Sequence, residues 1–340
     1  MDFQLTEEQI ALQKTVREFA RGEVAPLVRQ GDERQEFPRE LMKKAAGLGL
    51  LGCLFPEEMG GAGLGYVDYV MVVEEISAVD GAVGLSVAAH NSLCSNHIYQ
   101  FGTEEQKKKY LVPLARGEKI GAWSLTEPTA GSDAGGTRTM ARLEGESWIL
   151  NGAKTFATHG ASGDIAVVFG VTDPKLGKRG ISAFIVERGT PGFRTGKKED
   201  KLGCRASDTA ELVLEDCRIP QSQLLGRRGD GFINALQILD GGRISIAALA
   251  VGMARGAYEA ALEYSKQRHQ FGKPISAFQA IQWKLADMAT EIDAARLLVY
   301  RTASLKDQEQ DVNMSSAMAK LYASEVAVRV TNEAVQVFGG

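Results

Sequence analysis

The chain has 340 residues, with 39 Lys and Arg against 43 Asp and Glu, a net charge of −4. Hydrophobic residues at 44% and charged residues at 24% exclude a disordered chain, and the missing basic excess gives no reason to expect nucleic acid as a partner. The length sets an expectation of two or three domains with a core that needs no disulfide or metal staple.

The start, Met1-Asp2-Phe3-Gln4, has no apolar run behind it, so no signal peptide is expected. Thr6-Glu-Glu-Gln9 has the form of a capping box. Leu12, Val16, Phe19 and Ala20 follow at helical spacing as one buried stripe. Pro38 opens a second helix with Leu41, Ala45 and Leu48 on one face. The apolar stretch 45–55 is too short to cross a membrane, so no membrane insertion is expected. Gly61-Ala-Gly63-Leu-Gly65 follows Pro56-Glu-Glu-Met59 rather than a strand, and reads as a turn instead of a dinucleotide fingerprint. Helices are expected over 67–79 and 82–101. Thr103-Glu-Glu-Gln106 then repeats the capping pattern before a helix running into Pro113.

Near Gly121 the pattern changes to short β-rich runs at 122–126, 138–143, 147–150, 165–171, 181–186 and 211–214. Turns separate them, among them Glu144-Gly-Glu146 and Asn151-Gly152. Such spacing suits a small barrel or sandwich rather than a parallel βαβ sheet. After Gly231 the chain is helical again, over 232–268, 277–306 and 313–338, which argues for an antiparallel bundle. The expectation is an α+β multidomain protein with seams near residues 120 and 230. Cys53, Cys94, Cys204 and Cys217 show no CxxC spacing and read as reduced structural thiols of a cytoplasmic protein. His90 and His97 lie seven apart with no further ligand at useful spacing, so no metal site is expected.

Three segments carry chemistry. Thr126-Glu-Pro-Thr-Ala-Gly-Ser132-Asp133-Ala-Gly-Gly136 leaves a strand as a loop of small residues, whose amides and hydroxyls suit a flat ligand rich in acceptors. Asp240-Gly-Gly-Arg243 puts two glycines inside a helical pattern at a cost of about 1 kcal/mol each, so a ligand or another helix is expected close to that backbone. Arg268-His-Gln-Phe271-Gly272-Lys273-Pro274 reads as a helix end with a cationic cluster, fit either for phosphate or for plain capping.

Together with Pro56-Glu-Glu-Met-Gly-Gly61, Leu125-Thr-Glu-Pro-Thr-Ala-Gly-Ser-Asp133, Asn151-Gly-Ala-Lys-Thr-Phe-Ala-Thr-His-Gly160, Phe278-Gln279 and Gln336-Val-Phe-Gly-Gly340, these motifs resemble the acyl-CoA dehydrogenase family over essentially the whole chain. The resemblance implies an N-terminal helical domain (1–120), a middle β-barrel domain (121–230) and a C-terminal four-helix bundle (231–340). It implies FAD as cofactor and a homotetramer built as a dimer of dimers. Leu125, Thr126, Gly131 and Ser132 would contact the flavin, with Phe156, Ala157 and Thr158 on its other side. Arg268, Phe271, Gln279, Gln336, Gly339 and Gly340 would hold the pyrophosphate and adenosine half from the neighbouring subunit. Ser132, Asp240 and Arg243 would meet the acyl-CoA. Many relatives carry Trp-Ile-Thr at Phe156-Ala157-Thr158. Phenylalanine keeps the aromatic face and loses the indole N–H, and Ala157 thins the wall.

The implied reaction is oxidation of an acyl-CoA to its trans-2-enoyl-CoA, with electrons passed on to an electron-transfer flavoprotein. A carboxylate takes the α-proton while the β-hydrogen leaves as hydride. Of the family's two placements for that glutamate, one is Gly242 here and the other lies beyond Gly340, so no catalytic base is assigned within the chain and a continuation of roughly 40 residues is expected from the resemblance. Glu127 and Asp240 are poor substitutes, since both match ligand-contacting motifs. The motif with a downstream base resembles the short-chain type. The segment 80–86, where relatives acting on glutaryl-CoA carry an arginine, has none, so a short or branched uncharged acyl group is expected. Two other readings share the scaffold. An oxidase-like flavoprotein would form peroxide in air, and a non-catalytic acyl-CoA or FAD binder would never bleach with substrate.

Overall fold

The computed structural model describes residues 4–339. Helices α1 (Glu7–Phe19), α2 (Val28–Arg34), α3 (Arg39–Gly47), α4 (Tyr66–Ser77), α5 (Gly81–Ala89), α6 (Asn96–Phe101), α7 (Glu104–Gln106) and α8 (Val112–Ala115) come first. Strands β1 (Gly121–Ser124), β2 (Met140–Glu144), β3 (Ser147–Thr158), β4 (Ile165–Val171), β5 (Ile181–Glu187), β6 (Phe193–Lys198), β7 (Thr209–Pro220) and β8 (Leu224–Leu225) follow. Helix α9 (Gly231–Gln267), the short pair β9 (His269–Gln270) and β10 (Lys273–Pro274), α10 (Gln279–Asp307) and α11 (Asn313–Phe338) complete the chain. The α+β class and the order helices, sheet, helices are those expected. Two compact units form: residues 29–64 with 86–242, and residues 1–28 with 65–85 and 243–340.

In the first unit the strands run β6-β7-β3-β2-β4-β5-β8, and β1 lies parallel beside β4. Alternation along each strand sends side chains to opposite faces. Ile165, Val167, Phe169 and Val171 of β4 pack with Ile98, Tyr110, Leu111 and Leu114, whereas Ala166 and Val168 pack with Trp148, Phe184 and Leu212. Helical residues thus cover one face, and the other closes on its own side chains.

The capping box at Thr103 forms as read. Its hydroxyl accepts from Gln106 N at 3.2 Å, and Gln106 Oε1 accepts from Thr103 N at 3.0 Å. The Gln106 amide also donates to Ser222 O and Leu224 O, so this cap holds a loop as well as a helix. Thr103→Ala is expected to cost about 1 kcal/mol, measured as a lower urea midpoint at unchanged slope.

Several elements differ from expectation. Asn151-Gly152 makes no turn. Asn151 donates to Asp216 Oδ1 at 3.0 Å and accepts from Asp216 N at 2.8 Å, and the strand register shifts there. A bulge absorbs the turn signal, and β3 runs twelve residues to Thr158 instead of stopping at 150. Polar β6 carries no apolar alternation to reveal it. The expected helix 82–101 forms, but its middle, His90–Ser95, is a π-helical turn.

In the second unit α10 and α11 lie antiparallel. Lys284 pairs with Glu333 while Arg329 pairs with Glu291. Their buried residues recur at three- and four-residue steps: Leu285, Met288, Ile292, Ala295 and Val299 on α10, and Ser316, Ala319, Ala323, Val326 and Val330 on α11. That is the spacing of a coiled-coil seam. Helix α4 is tied to its neighbours by charge. Arg17 of α1 grips Glu75 through two bonds of 3.0 and 2.8 Å. Arg255 of α9 reaches Glu74 at 3.2 Å and Glu75 at 2.9 Å. Arg296 of α10 reaches Glu74 at 3.0 Å. The Asp307 carboxylate accepts from Tyr66 N at 2.6 Å and Val67 N at 3.1 Å, supplying the α4 N-terminus with the cap that Gly65 cannot provide. Gly256 sits where a Cβ would overlap the carbonyl of Ala78, so α9 crosses the end of α4 in backbone contact. By length and composition α9 could cross a membrane, yet 61% of its apolar stretch is buried inside the protein.

Candidate functional site

The loop after β1 starts with Leu125, whose side chain is buried in the core. Thr126 and Glu127 follow, and Gly131, Ser132 and Asp133 are exposed at the tip. A Cβ on Gly131 would meet nothing within 4 Å, so the tip faces open space. Thr155 N donates to Thr126 O at 2.9 Å, which joins the start of the loop to β3. Just beyond that bond β3 bulges: its pairing with β7 shifts between Lys154 and Ala157. Phe156 takes a φ of 57° and is 64% exposed. An aromatic ring held out of a sheet at left-handed φ is strained. Ala157 turns its methyl group into the sheet core, so the side chain that it thins lies there. Thr158 is half-buried and pairs with Thr209. The structure therefore brings Thr126 and the Phe156–Thr158 strand together, with Gly131 and Ser132 at the loop's free end.

Beneath this surface lies an ion pair that the sequence did not single out. Lys154 Nζ is 2.7 Å from Glu127 Oε1, and the two side chains are 0% and 4% exposed. Burial lowers the Lys154 ammonium to about 8 despite the carboxylate beside it. Burial pushes the Glu127 carboxyl up, but Lys154 and the amides of Thr139 and Arg138 outweigh it and hold it below the usual range. Glu127 is thus a sealed, ionised and fully engaged acceptor. It cannot take a proton from a substrate.

Asp240 and Arg243 stand three residues apart on α9 and are half-buried. Between them Gly242 is buried, and a Cβ there would lie 3.1 Å from Leu93 Cδ2. Of the two expectations for this glycine pair, close approach of another helical segment is the one met at Gly242.

The other predicted contact residues gather at one end of the second unit. Arg268 follows the last residue of α9, but the segment is a hairpin and not a helix end. His269 pairs with Pro274 and Gln270 with Lys273, while Phe271 and Gly272 turn at φ 52° and 77°. Two successive positive φ values are those of a type I′ hairpin turn. Phe271 is 91% exposed at its tip. Its ring meets Phe278 edge-on at 6.0 Å, directly before Gln279 at the start of α10. Tyr264 of α9 stacks on Phe338 of α11 at 4.4 Å. That contact brings exposed Gln336 and the helix-ending Gly339 toward the hairpin. Gly340 lies outside the described residues.

Both clusters fit the two ends of an extended dinucleotide. The loop and bulged strand offer an aromatic face, hydroxyls and backbone donors, and Thr155 Oγ1 is buried without a hydrogen-bond partner among the described residues. The hairpin end offers Arg268, an exposed ring and two glutamines. Among the described residues no group of three or more His, Cys, Asp or Glu is arranged to hold a metal ion. His90 accepts from Gly121 N at 3.2 Å and bonds Leu114 O at 3.0 Å, so its proton sits on Nε2. His97 accepts from Trp123 Nε1 at 3.0 Å among the rings of Phe101, Trp123 and Phe169. No disulfide joins the cysteines, and burial pushes the Cys94 thiol up to about 12.

Comparison with known proteins agrees with this geometry. The N-terminal, middle and C-terminal domain models of acyl-CoA dehydrogenase match residues 6–118, 122–217 and 229–340. A short-chain specific acyl-CoA dehydrogenase of Clostridium acetobutylicum is 50% identical over 340 residues, covering all of this chain and 90% of the relative. Butyryl-CoA dehydrogenase from Megasphaera elsdenii superposes with a TM-score of 0.98 at 48% identity, covering 100% of this chain and 90% of the other. A solved structure described as the electron transferring flavoprotein of Acidaminococcus fermentans, studied for flavin-based electron bifurcation, matches with a TM-score of 0.99 at 52% identity, covering 100% and 90%. The chain belongs to the acyl-CoA dehydrogenase family.

Proposed function

We propose that this family member dehydrogenates a short or branched, uncharged acyl-CoA to the trans-2-enoyl-CoA and passes the electrons to an electron-transfer flavoprotein. The observation that carries the short-chain reading is the match of the whole chain, at 50% identity, to a short-chain specific enzyme. FAD is the cofactor, and when bound it supplies the hydride acceptor. The chain's own residues do the rest. Phe156 and Thr158 on one side, and the Thr126 to Ser132 loop on the other, bind and orient the ring system. Ala157 and Leu125 keep their side chains in the core and serve the site through their backbone. Ser132, Asp240 and Arg243 position the thioester, whose carbonyl needs hydrogen-bond donors as charge develops on oxygen.

Of the two placements for the proton-abstracting carboxylate, Gly242 fills one and the other lies outside these 340 residues. Glu127 is excluded by burial and by its three bonds. Arg268, Phe271, Gln279, Gln336, Gly339 and Gly340 hold the adenosine half of a neighbouring subunit's FAD within a homotetramer. Their exposure in the single chain favours that role. The buried, unbridged thiols favour a reducing, cytoplasmic setting.

The test is anaerobic titration of the protein expressed from its complete gene. Butyryl- or isobutyryl-CoA is expected to bleach the flavin, and glutaryl-CoA is not. Bleaching by glutaryl-CoA alone would overturn the substrate reading.

A further inference from the structure

The predicted flavin loop is stitched at both ends by one carboxylate. Glu127 Oε2 accepts from Arg138 N at 2.7 Å, and Oε1 accepts from Thr139 N at 3.0 Å, so residues eleven and twelve positions later return to the loop's entrance. The backbone of Glu127 also exchanges bonds with Ala130 at 3.0 and 3.1 Å, which closes the first turn of the loop. Lys154 on β3 completes the arrangement. Its ammonium donates to Glu127 Oε1 at 2.7 Å and to Leu125 O at 3.3 Å, two residues before Phe156 leaves the sheet. A buried charge whose every neighbour is fixed has one low-energy geometry. The same pair therefore ties the entrance of the loop, its exit and the bulged strand to one another.

We propose that the Lys154–Glu127 pair is a positioning element that sets the spacing between the Leu125–Ser132 loop and the Phe156–Thr158 strand, and thereby the affinity for FAD. This inference rests on the FAD site proposed above. Neither side chain is accessible, so the pair acts through the backbone that it holds and not by touching the ring system. Outer residues that hold contacting groups in place commonly govern affinity by such means.

The test compares wild type with Glu127→Gln, Lys154→Met and Lys154→Arg. Two readouts are used: FAD dissociation constants by fluorescence quenching, and hydrogen exchange at the Arg138 and Thr139 amides in flavin-stripped protein. Glu127→Gln keeps the shape and one acceptor, and is expected to fold even where Lys154→Met does not. Expected are a dissociation constant raised about tenfold or more and lost protection at both amides, with partial recovery in Lys154→Arg. A thermal midpoint that falls while FAD affinity and amide protection stay at wild-type values would reduce the pair to general stabilisation and overturn the proposal. If wild-type protein binds no FAD, the cofactor reading fails instead, and the exchange data alone then judge the clamp: lost protection supports it and retained protection overturns it.

Discussion

Arg255→Met is expected to destabilise the protein by about 3 kcal/mol, at the low end for breaking a buried ion pair. Arg255 is 11% exposed and faces Glu74 and Glu75, which are 6% and 2% exposed. Glu75 shows the balance of forces. Burial pushes its carboxyl up, and Arg17 and Arg255 together bring it below the ordinary range. Removing Arg255 leaves Glu75 with Arg17 and Glu74 with Arg296, so the loss is partial. The same account predicts strong coupling. In the Arg255→Met background, Glu75→Gln should cost much less than it does alone, because the charge it removes has lost one of its two partners. A double-mutant cycle by urea denaturation checks this, and additive losses would contradict it.

Acid should unfold the protein through two histidines. Burial, with His159 nearby, holds His90 down at about 4, and burial alone holds His97 at about 3, both from an ordinary 6.5. Between the folded and unfolded values the unfolded chain binds more protons, so stability rises with pH up to about 6.5 and is flat above it. Lowering pH from 6.5 to 4 should cost on the order of 3 kcal/mol for each histidine. Protonation also conflicts with bonding. His90 Nδ1 and His97 Nδ1 accept from Gly121 N and Trp123 Nε1, and a charged ring has no acceptor to offer. His97→Gln, which keeps an acceptor for Trp123, should flatten the fall in thermal midpoint between pH 6.5 and 4.5. An unchanged slope would clear His97 of that role.

What the sequence revealed and what it hid follow from range. The capping boxes at Thr6 and Thr103 form because their partners are three residues away. Strand β4 emerges at its expected bounds, 165–171, because all seven residues are buried. Asn151-Gly152 misleads because the Asn151 side chain finds Asp216, 65 residues later, and serves a bulge. The Arg268 segment looks like a helix end because nothing local announces that Phe271 will accept a positive φ. Within the candidate site the loop and the Phe156 strand were legible as motifs. The Lys154–Glu127 pair was not, because each residue already belongs to a motif with another apparent purpose and they meet across 27 positions.

The bonds around α4 also order events during synthesis. Residues 29–64 and 86–242 can complete their unit once residue 242 has emerged. Helix α4 must wait for Arg255, then Arg296, and finally for Asp307 to cap its first turn. At roughly 5–20 residues per second, the interval between residue 85 and residue 307 is on the order of 10–40 s. Throughout it, Glu74 and Glu75 have no arginine from the C-terminal helices, and the apolar side chains around them have no α9 to cover them. The earliest helices of this chain are among the last to be secured, which makes them the natural client of a chaperone acting on the nascent protein.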